Sequence, residues 1–486
     1  MLETLSHLDS FPVFQYFYQI NQIPRGSGNE KAISDWLVNF AKERKLKVVQ
    51  DAANNVIIYK AGSKGYENAK PIILQGHIDM VCEKDKTSTH NFLTDPIAFI
   101  VEGDILKADK TTLGADNGVA IAMALAILDS ELPHPPLEVL CTVSEETGMD
   151  GAIAIDPALF TGRTLINIDS EEEGVFLTSC AGGKECFYRL PIEWVSAPEN
   201  MLAYEISVKG LLGGHSGMEI SKERANALKL LGRTLQTLQK NITVYVTSID
   251  GGSKHNAIPR EANARILVAE KDKAILQEVV EVSRAIFKNE FSGVDDSIQL
   301  DYSPSDKPST SVFSQKTLDS LLDIIRLTRH GVIRMSHSID GLVETSNNLA
   351  ILKTDVNEIH ITCAIRSSVK SQKEDVAEEF EIIAKRCQTK FEADAGYPEW
   401  QYKAVSPIRD IFISVYKAKF GKDPKISAIH AGLECGILSE KFDGEIDQIS
   451  FGPNIYDVHT PNEHLSILSL DRTWSFLKAV LENIRH

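Results

Sequence analysis

The sequence predicts an α/β protein built in two parts: a sheet covered by helices on both faces, and an inserted, internally duplicated α+β domain. Three observations carry that expectation. Short apolar runs alternate with helix-length segments early in the chain, the texture changes near residue 188 and changes back after Gly396-Tyr397-Pro398, and the stretch between contains two similar passes of strands and helices. These limits define segments 1–187 and 399–486 of a discontinuous α/β domain, with 188–398 as the insert.

In chain order, residues 29–45 place Ala32, Ile33, Trp36, Leu37, Phe40 and Ala41 at i, i+3, i+4 spacing, a helix with one buried stripe. Apolar runs at 55–59, 71–80, 137–143 and 164–168 read as strands, and 115–132, apolar almost all round, reads as a buried helix. Strands apolar on both faces belong to sheets covered on both sides. Ligands of such sheets bind beyond the carboxyl ends of the strands. In the insert, 203–208 alternates like a half-exposed strand, 224–238 is an amphipathic helix, 262–268 a strand and 273–288 a helix. A second pass follows, with a helix at 317–328, strands at 348–352 and 358–365 and a helix at 373–387.

Composition narrows the function. With 43 % apolar and 24 % charged residues in 486, the chain can bury a core. A net charge of −17 repels phosphate, which argues against nucleic acid and anionic membrane as partners. Seven dispersed cysteines without a CxxC pair read as reduced thiols of a cytoplasmic protein. The N-terminal stretch shows no secretory pattern, and the longest apolar run, 118–128, is far short of the ~20 residues of a membrane span.

Chemistry concentrates at the strand ends. In Ile72–Asp79, His77 and Asp79 are two apart and project to one side of an extended chain. Asp79 can hold the second nitrogen of a ligating His77, or the pair can be an ordinary strand end. Asp116 opens the buried helix, as an N-cap or as a ligand among small residues. Glu145-Glu146 ends another strand, where adjacent carboxylates repel unless a cation, a proton or solvent offsets them. Asp169 ends a third strand, and His459 follows a turn after a fourth. Taken together, His77, Asp116, Glu146, Asp169 and His459 suit a borderline divalent metal, zinc first, then cobalt or manganese. Five ligands with one shared carboxylate suit two ions ~3.5–4 Å apart, with Glu145 left over as general base.

The motifs His77-Ile78-Asp79, Gly114-Ala115-Asp116-Asn117-Gly118, Glu145-Glu146-Thr147-Gly148 and Asp169-Ser170-Glu171 resemble, in order, those of the di-zinc peptidases that include aminoacylase, glutamate carboxypeptidase and carnosinase. Gly213–Gly217, His255–Arg260 and His430–Gly436 extend the resemblance over essentially the whole chain. It implies two Zn2+ per chain: His77 and Asp169 on one, Glu146 and His459 on the other, Asp116 bridging, Asp79 orienting His77, and Glu145 as base. It further implies that the insert forms a lid and supplies His215 to stabilise the tetrahedral intermediate, and that Asn256 and Arg366 bind the substrate carboxylate, with His430, Gly432 and Glu434 lining the site. From the residues alone, Gly213-Gly214 can also be a plain hairpin turn, Arg366 a surface strand residue, and Glu434 either the partner of a free amine or a helix cap. The implied activity is hydrolysis of unblocked dipeptides, Xaa-His and β-alanyl-histidine among them, by a monomer or homodimer. The competing reading is an N-acyl amino acid deacylase or carboxypeptidase using the same centre. A metal-stabilised binding protein without turnover is disfavoured because Glu145 and all five ligands are present, and a two-metal phosphatase because no phosphate-cradling loop occurs.

Overall fold

A computed structural model describes residues 2–306 and 309–485. The chain forms two compact units, one of residues 1–180, 402–428 and 433–486, the other of 181–401 with 429–432. The sequence pattern put the first boundary at 187/188 and kept 429–432 in the last segment. The strand Gly182–Pro191 belongs to the insert from its first residue, and its Gly-Gly-Lys-Glu opening carries no apolar alternation to announce it. Residues 429–432 join the insert because Ala181 N donates to the carbonyls of Ile429 and Ala431, and Ser346 Oγ lies 2.7 Å from His430 Nε2.

The first unit is organised on an eight-stranded sheet, in spatial order Lys47–Gln50, Val56–Lys60, Leu137–Thr142, Ile72–His77, Thr164–Asn167, Asp447–Ser450, Val175–Cys180 and Lys425–Ile429. The four central strands run parallel, and the flanking pairs Lys47–Gln50 with Val56–Lys60 and Val56–Lys60 with Leu137–Thr142 are antiparallel. Every residue of Ile72–His77 and Leu137–Thr142 is buried, which is why both are mostly apolar, Gln75 and Glu138 being buried polar exceptions within them. The helix Ala115–Leu128 is buried at every position but Asp116. It lies so close to the sheet that a Cβ on Gly76 would come within 2.4 Å of Asn117 Oδ1 and 2.7 Å of the Ala120 methyl. Helices Pro407–Phe420 and Ile467–Asn483 pack through an aromatic cluster of Phe176, Phe412, Tyr416, Phe451 and Phe476.

The second unit carries a sheet whose eight-strand path is Gln299–Pro304, Met201–Lys209, Ala262–Ala269, Tyr245–Gly251, Val343–Thr354, Glu358–Ser367, Gly182–Pro191 and Lys390–Ala393; a ninth strand, Gly331–Met335, pairs with Val343–Thr354. All its pairings are antiparallel. The two halves mirror each other about the Gly251–Leu352 pairing. The duplication is nested: Gly182–Pro191 is the leading strand of the second repeat, and the whole first repeat is threaded between it and the helix Gln315–Leu327. Helix ends follow their caps. The helix read from position 224 starts at Ala227, because Asn226 Oδ1 accepts from the amides of Leu228 and Lys229, and Ser314 likewise starts its helix at Gln315. Among the described residues no helix is long and apolar enough to cross a membrane.

Candidate active site

The parallel strands of the first unit deliver four of the acidic and imidazole groups at their carboxyl ends. His77 ends Ile72–His77, Asp169 follows Thr164–Asn167, and Glu145-Glu146 follow Leu137–Thr142 after Ser144 turns the chain at φ 54°. Asp116 comes from the entry to the buried helix, and His459 from a turn at φ 61°. These residues converge. His77 Nε2 lies 3.1 Å from Asp116 Oδ1 and 3.5 Å from Asp169 Oδ1, whereas His459 Nε2 lies 3.1 Å from Asp116 Oδ2 and 3.0 Å from Glu146 Oε2. The two oxygens of Asp116 therefore face two different histidines. Ligand atoms of His77, Asp116 and Asp169, of Asp116, Glu146 and His459, and of His77, Glu145 and Glu146 form three groups, each within 4.8 Å.

Electrostatics explain what such a cluster needs. Burial, together with Asp169, Glu434 and Glu146 nearby, pushes the Glu145 carboxyl well above its usual range. Burial raises Asp169 to about 6 and Glu171 to about 7, each reinforced by Asp116. Burial opposes a charge on His77, yet Asp169 and Asp116 still raise it well above the ordinary value, and bonds to Asp116 and Glu146 take His459 to about 11. Buried carboxylates this close hold protons or cations. Imidazole nitrogens and carboxylate oxygens with no thiolate are a fitting donor set for one or two zinc-like divalent ions.

Asp79 does more than face His77 Nδ1 at 3.2 Å. Its oxygens accept from the amides of Glu145 (3.1 Å) and Glu146 (3.3 Å) and from Ser27 Oγ (2.8 Å), so one buried carboxylate joins the His77 strand end to the Glu145-Glu146 turn. Glu434 is fully buried. Its Oε2 accepts from Gln75 Nε2 (2.5 Å) and Thr142 Oγ1 (2.8 Å), and burial first of all raises it to about 8. It makes no cap to the helix Glu434–Lys441 that it opens, which removes the cap alternative.

The other expected residues gather in the second unit. His215 lies in the short pairing of Gly214–His215 with Ala257–Ile258, beside Asn256, whose carbonyl accepts from Ser216 N. Backbone amides of Gly217 (3.2 Å) and Met218 (3.1 Å) donate to His215 Nδ1. The proton of the neutral ring therefore resides on Nε2, which is a donor. Around Gly217 the chain is tight: a Cβ there would meet the His430 carbonyl at 2.4 Å, His215 Cε1 at 3.1 Å and Arg366 Nε at 3.3 Å. Arg366 is not a plain surface strand residue; it is half-buried and donates to Tyr397 Oη at 2.7 Å. Burial and Arg366 together lower His215 and take His430 down to about 3. Gly432 follows in the half-buried 431–433 stretch.

Residues 206–295 match the peptidase dimerisation domain model. The whole chain is similar to the cytosol non-specific dipeptidase of Escherichia coli strain K12, with 38 % identity over 99 % of each chain. It also superposes on the aminoacylhistidine dipeptidase of Vibrio alginolyticus with a TM-score of 0.94 at 35 % identity, over 98 % of this chain and 97 % of that one. The chain belongs to the cytosol non-specific dipeptidase family. These are dipeptidases, hydrolases of peptide bonds. Aminopeptidase PepT from Bacillus cereus, at 14 % identity and a TM-score of 0.57 over 99 % of this chain and 100 % of that one, shares the fold.

Sequence reading missed two buried charges beside the cluster, Arg25 and Glu463. The second lies four residues past His459, so an acid near a candidate ligand was there to be noticed. Arg25 carries no local signal: its guanidinium reaches Ile78 O, Asp79 O and Gly114 O, which only the folded chain brings together.

Proposed function

We propose that this chain is a di-metal dipeptidase that cuts dipeptides with a free amino terminus, Xaa-His and β-alanyl-histidine among them, in the cytoplasm. The observation that carries the reading is Asp116, whose two oxygens face His77 and His459 with Asp169 and Glu146 completing either side. On this reading those five residues hold two Zn2+, with Co2+ or Mn2+ as substitutes. Bound metal supplies Lewis acidity toward the scissile carbonyl and lowers the pKa of the attacking water towards ~7. Glu145 takes that water's proton and returns it to the leaving amine, a task suited to a carboxyl whose pKa burial has raised. Asp79 fixes the His77 ring and the Glu145-Glu146 turn together. His215 donates its Nε2 proton to the developing oxyanion. Arg366 and Asn256 take the substrate's carboxylate, with His430 and Gly432 beside them, and Glu434 receives the free amine. Seven free cysteines agree with a reducing compartment.

The test is hydrolysis of β-alanyl-histidine, followed by ninhydrin before chelation, after it and after zinc return. Activity that disappears and comes back with zinc supports the reading, and a zinc-loaded protein inert toward this and other free dipeptides refutes it. Parallel assays on N-blocked dipeptides separate a dipeptidase from a deacylase or carboxypeptidase, because only the first needs the amine.

A further inference from the structure

We infer that Glu463 is a positioning residue for the metal centre, tying the turn that carries His459 to the turn that carries Asp116. The inference rests on the reading of those two residues as ligands. Glu463 is 2 % exposed, and its carboxylate accepts from four consecutive backbone amides: Oε2 from Leu113 (2.7 Å) and Gly114 (3.0 Å), Oε1 from Ala115 (2.8 Å) and Asp116 (3.3 Å). A carboxylate offers about four lone-pair sites, so no acceptor capacity remains for a metal or a substrate. Glu463 therefore acts through its neighbours. Its own turn is closed by Glu463 N donating to Thr460 O (3.1 Å) and Thr460 Oγ1 to Asp457 O (2.7 Å), which leaves His459 inside a rigid loop.

The opposite side of the Asp116 turn is held by Arg25, which is fully buried. Its NH2 group donates to Gly114 O (2.6 Å) and its NH1 group to Ile78 O and Asp79 O (3.0 Å each). Position 114 must be glycine for this. Its φ is +69°, and a Cβ would come within 2.4 Å of the guanidinium and 2.8 Å of Met80 Sδ. Three ligand carriers far apart in sequence, His77, Asp116 and His459, are thus coupled through two buried charges of opposite sign. A shared carboxylate needs this: a small turn of the Asp116 backbone would bring one oxygen closer to its histidine and carry the other away.

Glu463→Gln keeps the shape but sets an NH2 group against two backbone donors. Metal binding, followed by competition with a chromophoric zinc chelator and by Co2+ absorption, is expected to show two equivalents in the wild type. In the variant the first is retained and the second is weakened about tenfold to a hundredfold. Glu463→Asp, one methylene shorter, is expected to weaken the second equivalent as well, and decides the matter should the glutamine variant not fold. Asp447→Asn is the control. Asp447 holds the start of the helix Pro407–Phe420 through Ser406 Oγ (2.6 Å) and Ile408 N (2.9 Å), at the amino end of its strand, opposite the carboxyl ends that carry the ligands, so its loss lowers stability while both metal equivalents stay tight. Wild-type affinity in a folded Glu463 variant, or equal weakening in Asp447→Asn, overturns the inference. A wild-type protein taking up fewer than two ions overturns the ligand assignment beneath it.

Discussion

In the first unit His77 and His459 face carboxylates and their pKa values rise, that of His459 to about 11; in the second unit the half-buried His215 and the buried His430 lie beside Arg366 and theirs fall, that of His430 to about 3. One residue type is thus prepared for two tasks. Crowded acids around His77 and His459 create a demand for positive charge that two protons or two metal ions can meet. Around Arg366, burial first and the positive charge already present second keep the imidazoles neutral at pH 7, and His215 keeps a defined Nε2–H donor. The first cluster suits a cation, the second an anion or an oxyanion.

The contrast can be broken from the acidic side first. Glu145→Gln is expected to lower kcat by about 10²- to 10⁴-fold while both metal equivalents remain, measured by steady-state rates beside elemental analysis. A variant with near wild-type turnover would remove Glu145 as the base. His215→Ala should cost about 10²- to 10³-fold in kcat with metal content unchanged, since it removes a donor and no ligand. Loss of metal in that variant would contradict the division of labour between the clusters.

Arg366→Gln sharpens the comparison. KM for free dipeptides is expected to rise about 10- to 100-fold, with little change for dipeptide amides, which lack the carboxylate. In the same variant the His430 titration, followed by NMR, should move up yet stay below the ordinary value, because burial is the first cause of its depression and Arg366 the second. No movement would show that the guanidinium does not set the character of this cluster.

The smallest effect concerns stability. His330, half-buried, has a folded pKa lowered to about 3 from 6.5, by desolvation first and Lys229 second. As pH falls through 6.5 the unfolded chain takes up this proton and the folded chain does not, so stability is full above 6.5 and is lost toward 3. The slope approaches ~1.4 kcal/mol per pH unit. Urea unfolding between pH 7 and 5 should therefore be less pH-dependent in His330→Asn, and identical slopes would refute the assignment.

Much of this was readable without a structure, because much of it is local. Buried strands declare themselves by short, mostly apolar runs, the helix at Ala115 by being apolar almost all round, and the acids and histidines by standing where those runs end. Less legible were strands with weak alternation: Tyr245–Gly251 and Gln299–Pro304, both half-exposed, have no apolar run and are recognised only by their partners.

The sequence by itself determined the chemistry on offer, namely two histidines and several carboxylates in an order that resembles one peptidase family. Only the tertiary structure decided how those groups are used. It split the oxygens of Asp116 between His77 and His459, placed the His215 proton on Nε2 through two backbone amides, and closed Glu463 over four amides some 350 residues away in the chain. It also threaded one repeat of the insert inside the other. Periodicity and side-chain chemistry are properties of neighbours in sequence. Pairing, tautomer and charge state depend on which distant segments fold against each other.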